Sequence, residues 1–103
     1  MKGRWLTRET YDSQEDFLAN FHVEVPETFN FGFDVLDAVA AAEPERRALV
    51  WCDDHGGERV FTMREIARES ARAANAFLAL GIRRGDAVML ILKRRYEYWF
   101  ALM

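Results

Sequence analysis

The chain has 103 residues, half of them hydrophobic and 14% aromatic, with a net charge of −3 from 14 basic and 17 acidic side chains. That length fits one small domain, and the composition excludes a disordered chain. So weak a charge offers no field for nucleic acid or an anionic membrane, and no stretch approaches the ~20 apolar residues of a membrane span.

The chain opens Met1-Lys2-Gly3-Arg4-Trp5-Leu6-Thr7-Arg8-Glu9, a basic start with no apolar run behind it, which does not read as a signal peptide. Residues 1–12 read as an irregular leader. Ser13 then offers a helix cap, with Asp16 three residues on and Phe17, Leu18 and Phe21 on one face. Pro26 closes this segment. Asn30 is the next cap, followed at helical spacing by Val35, Leu36, Val39 and Ala40, with Asp34 in the first turn, where the helix dipole favours a negative charge. Glu43-Pro44 ends that helix, because the residue before proline avoids the helical region.

Ala48–Asp53 reads as a strand, Asp54-His55-Gly56-Gly57 as a turn, and Glu58–Phe61 as the returning strand of a hairpin. Thr62 and Glu65 have the spacing of a capping box. Behind them Ile66, Ser70, Ala73, Ala74 and Phe77 trace one helix face, and Arg64, Glu65, Arg68, Glu69 and Arg72 the other. Gly81 stands where a left-handed C-cap is wanted. Ala87–Leu92 is six apolar residues in a row, the pattern of a strand buried on both faces. Lys93-Arg94-Arg95 interrupts, and Tyr96–Met103 starts a further helix.

The order is helix, helix, hairpin, long helix, buried strand and helix, an α/β class. A strand with no polar face needs cover on both sides. One long helix and a short aromatic one supply little of it, so the chain is expected to be a truncated piece of a larger α/β domain; the other reading is a small complete domain whose last helix packs against a partner chain.

Phe61-Thr62-Met63-Arg64-Glu65-Ile66 resembles the first core motif of the adenylate-forming superfamily, an aromatic or Leu followed by Thr or Ser, Tyr, any residue, Glu and Leu. Met63 and Ile66 depart from it but stay apolar. Residues Arg72–Val88 resemble the family's next stretch, Asn-Ala-hydrophobic, Leu-Gly-hydrophobic, then Gly-Asp-x-Val. Ala48–Asp54, Met89–Trp99 and the leader Tyr11–Phe33 are similar to medium-chain or acetate-type acyl-CoA synthetases. The resemblance implies an AMP-forming acid–CoA ligase: a carboxylic acid attacks ATP to give an acyl-adenylate and pyrophosphate, usually with Mg²⁺, and the CoA thiol displaces AMP. It implies residues 30–103 as the start of the enzyme's N-terminal domain and 1–29 as a leader with a short helix.

That chemistry needs a Gly/Ser/Thr-rich phosphate loop with a lysine, acidic groups for ribose and metal, and a further lysine on a mobile domain. The longest glycine run here is Gly56-Gly57, in the hairpin turn. The resemblance therefore carries no catalytic, cofactor-binding or metal-ligating residue onto this chain. The chain alone is expected to be inactive, with no ATP, CoA or Mg²⁺ bound.

Single residues get local readings. Lys93, Arg94 and Arg95 follow the apolar run, where α/β sheets bind ligands, but no glycine lets a phosphate approach the backbone. They read as solvated or carboxylate-paired. Arg64, Arg68 and Arg72 read as a solvated stripe with Glu65 and Glu69 as intrahelical partners. Cys52, Asp53, Asp54 and His55 lack a zinc spacing, and His22 has no second ligand near it in sequence. Cys52 reads as a small core hydrophobe. Tyr96, Tyr98, Trp99 and Phe100 read as a core or dimer contact rather than an acyl-pocket wall. The one cysteine, Cys52, fits a reducing cytoplasm. Self-association through exposed apolar surface is expected.

Overall fold

In the computed structural model, residues 5–103 are described. The part of the leader at 1–4 lies outside them. Helix α1 spans Gln14–Asn20 and is capped as the sequence implies: the Ser13 hydroxyl accepts the Asp16 amide at 3.1 Å. The leader before it is irregular but tied down. Leu6 forms an antiparallel bridge with Val23, and the Glu24 amide donates to the Trp5 carbonyl at 2.8 Å. The Asp16 carboxylate gathers the Asp12 amide and the Arg8 guanidinium, each at 2.9 Å, and the Asn20 amide at 2.7 Å.

Asn30 starts the next helical segment. Its side-chain oxygen accepts the Phe33 amide at 3.2 Å, and the Asp34 carboxylate reaches back to the Asn30 amide at 2.8 Å. The segment differs from expectation in its winding. Gly32–Asp37 is a π-helix, and only Ala38–Ala42 (α2) is α-helical. A single wide turn keeps its apolar residues on one side, so the 3.6-residue pattern does not reveal it. Leu36 and Val39 are buried on that side.

Strands β1 (Arg47–Cys52) and β2 (Glu58–Thr62) form the expected hairpin, with β1 shifted one residue toward the N-terminus and β2 one residue longer than the sequence reading. The register slips between Arg47 and Leu49. A bulge there breaks the two-residue alternation, which is why Ala48 and Leu49 are both half-buried. At the turn, one Asp53 carboxylate oxygen accepts the His55 amide at 2.8 Å and the Gly57 amide at 2.7 Å. Gly56 takes a φ of +84° there, a region glycine enters at no steric cost.

Helix α3 (Met63–Ala79) carries the full capping box. The Thr62 hydroxyl accepts the Glu65 amide at 3.3 Å, and the Glu65 carboxylate accepts the Thr62 amide at 2.8 Å. Its C-terminus closes as a Schellman motif, with Gly81 at φ +85°, Gly81 amide to Leu78 carbonyl at 3.0 Å and Ile82 amide to Phe77 carbonyl at 3.1 Å. Thr62→Ala is expected to lower stability by about 0.5–2 kcal/mol, the usual cost of losing a hydroxyl cap. Thermal denaturation of Thr62→Ala beside Thr62→Ser checks it, because serine keeps the acceptor.

Ala87–Leu92 corrects the sequence reading. It joins no strand ladder, and Val88, Met89 and Ile91 are exposed, Met89 by 83% and Ile91 by 80%. A strand is held by the neighbours that take its amides and carbonyls, and the sheet here has only β1 and β2, paired with each other. Among the described residues nothing covers the exposed side of this apolar run. Helix α4 (Glu97–Leu102) follows as expected. It packs against α3, and Tyr96, Phe100 and Met103 rest on a small core of Leu36, Phe61 and Ile66. The class is α/β as expected, with helices on a two-stranded antiparallel hairpin.

Candidate functional site

The basic and aromatic residues that stand out in the sequence meet where β2, α3 and the start of α4 come together. Phe61 points inward from β2 and is 5% exposed. Tyr96 lies against it at 5.1 Å between ring centroids, and Phe100 meets it edge-on at 5.4 Å. Arg59, two residues along the same strand face, covers this cluster. Its guanidinium sits 4.9 Å from the Phe61 ring centre and 4.8 Å from that of Tyr96, and it donates to the Tyr96 hydroxyl at 2.7 Å. A cation over two ring faces gains from the negative charge of both π systems.

From the neighbouring strand, Trp51 stands edge-on to Tyr96 at 5.3 Å, and its indole N–H donates to the Arg94 carbonyl at 2.7 Å. The hairpin thus grips the turn that holds Lys93, Arg94 and Arg95. Arg95 is carboxylate-paired as expected, with Nε and a terminal nitrogen on Glu97 at 3.2 and 2.7 Å. Those bonds raise the Arg95 pKa and hold the Glu97 carboxyl below its ordinary range.

The arginine stripe of α3 is solvated, as expected, but its partners differ. Arg64 pairs with Glu45 outside the helix at 2.8 Å. Arg72 and Arg68 share Glu69, at 2.9 and 3.4 Å. Glu65 is taken by the Thr62 cap. The Thr62 amide, first, then its hydroxyl and the charges of Arg68 and Arg59, hold the Glu65 carboxyl below its ordinary range. Together Arg59, Arg68 and Arg72 border a crevice of about 350 Å³ with Glu65, Glu69 and Glu97. Three cations face three carboxylates, so the crevice presents no excess charge to an anion.

A carboxylate whose folded pKa is depressed adds stability above its unfolded pKa and loses it as pH falls through the folded value. Asp16 is lowered in the same direction, chiefly by the Asp12 amide. Stability is therefore expected to fall as pH drops from about 5 toward 3, the range that spans and lies below ordinary carboxylate values. Melting curves across that range check it. Glu65→Gln, which keeps an acceptor but cannot titrate, should flatten part of the decline.

Other singled-out residues do not converge. Cys52 is exposed at the end of β1, not a core hydrophobe, because strand alternation puts it on the exposed face with Val50, while Trp51 between them takes the half-buried face. The Asp53 carboxylate is used by its own turn. Among the described residues, no three His, Cys, Asp or Glu side chains are grouped to hold a metal ion. The aromatic stub divides: Tyr96 and Phe100 join the core, while Trp99 is 43% exposed, with Tyr98 edge-on to it. Trp99 and Met103 border an apolar cavity of about 260 Å³, opposite Phe31 and Leu36. Arg59 and Trp51 went unremarked as contact residues in the sequence. The one available signal was their strand position, which puts Arg59 in phase with Phe61.

Residues 36–103 match the family described as AMP-binding enzyme. The chain is 39% identical over 88 residues to human acyl-coenzyme A synthetase ACSM2A, mitochondrial, an overlap of 80% of this chain and 15% of that protein. It is 34% identical over 104 residues to the Mus musculus ACSM3 synthetase, also named mitochondrial, an overlap of 95% of this chain and 18% of that protein. The chain therefore spans less than a fifth of the length of these relatives. These relatives are named mitochondrial, which overturns the expected cytoplasmic location. A lone cysteine reports only that no internal disulfide forms, and does not separate one reducing compartment from another. The match over 36–103 covers the hairpin, the capped helix and the aromatic cluster, and on it the chain belongs to the AMP-binding enzyme family.

Proposed function

We propose that these residues serve an acid–CoA ligase that joins a carboxylic acid to CoA at the expense of ATP, releasing AMP and pyrophosphate with Mg²⁺ assisting. The observation that carries this reading is the identity of 34–39% to proteins named acyl-coenzyme A synthetases. In that reading residues 30–103 open the large N-terminal domain, and 1–29 form a leader with a short helix. Their role is architectural: α3 and the hairpin build an outer corner, and Ala87–Leu92 enters a sheet whose other strands come from further polypeptide. No residue here is assigned to catalysis, cofactor binding or metal ligation.

The 103-residue chain is inactive by itself, because it lacks a phosphate-binding loop. Incubated with ATP, CoA, Mg²⁺ and short or medium acids, it is expected to release no pyrophosphate above a heat-killed control; release above that control refutes this part. The ligase reading has its own test in the gene. Sequence downstream of codon 103 should encode a Ser/Thr-Gly-rich loop with a lysine, and a stop codon with no such loop would overturn it.

As an isolated chain the protein also self-associates. The exposed side chains of Val88, Met89 and Ile91 support this, because they form an apolar surface without cover among the described residues.

A further inference from the structure

We draw no further inference here: the strongest candidate, the apolar cavity of about 260 Å³ between the π-helical turn and α4 bordered by Phe31, Leu36, Trp99 and Met103, carries nothing because no feature of the structure shows what covers it.

Discussion

Phe61→Ala is expected to cost about 3–5 kcal/mol, the usual loss when a buried aromatic is cut to a methyl and leaves a cavity. Phe61 is 5% exposed and meets Tyr96, Phe100 and the Arg59 guanidinium. Its removal would strip the ring against which Tyr96 and Phe100 pack, leaving the contact of Arg59 with Tyr96. Domains of this size have about 5–15 kcal/mol in total, and this one, with few buried side chains, belongs near the low end. The variant should therefore be largely unfolded at room temperature. Val60→Ala is the control, one residue back and on the opposite strand face, where the side chain is 47% exposed. It should change stability by about 1 kcal/mol or less. Urea denaturation followed by tryptophan fluorescence compares the two, and equal losses would refute a core centred on Phe61.

The second large effect concerns association. The double substitution Met89→Asp with Ile91→Asp is expected to convert a concentration-dependent assembly into a monomer. These side chains are 83% and 80% exposed. Burying either one against another molecule gains about 1.5–3 kcal/mol. Losing even one such contact weakens association about tenfold or more, since 1.4 kcal/mol is a factor of ten. Two buried carboxylates would add a desolvation cost. Neither side chain supports the fold, so helicity should be retained. Light scattering over a range of concentrations reads the result. A wild-type chain that stays monomeric throughout would overturn self-association; assembly that persists in the variant would move it to another surface, such as that around Trp99.

The features legible in the sequence were those closed by local hydrogen bonds. Ser13 with Asp16, Thr62 with Glu65, and Gly81 behind α3 each act over a few residues, so residue type and spacing suffice. The hairpin was legible for the same reason, from its glycine turn between β-favouring runs. What escaped depends on distant parts of the chain. Whether Ala87–Leu92 becomes a strand is decided by neighbours, not by its own apolarity. The π-turn at Gly32–Asp37 differs from an α-turn by one residue of winding, which a short apolar pattern cannot resolve. Arg59 on Tyr96 and Trp51 on Arg94 join positions far apart in sequence and have no local signature. The candidate site was legible only as composition, a basic run followed by aromatics. Compartment was not legible, since nothing in one cysteine distinguishes two reducing spaces.

The bond from the Trp51 indole to the Arg94 carbonyl spans 43 residues. It has a consequence for the order in which the chain folds. Closing a loop costs entropy that grows by about 0.6 kcal/mol with each doubling of its length. The tight turn at Gly56 and the capped start of α3 close early because their loops are short. The Arg94 turn and α4 must then arrive on a hairpin that already exists. Docking of the C-terminal arm is thus expected to be the last event in forming the aromatic corner.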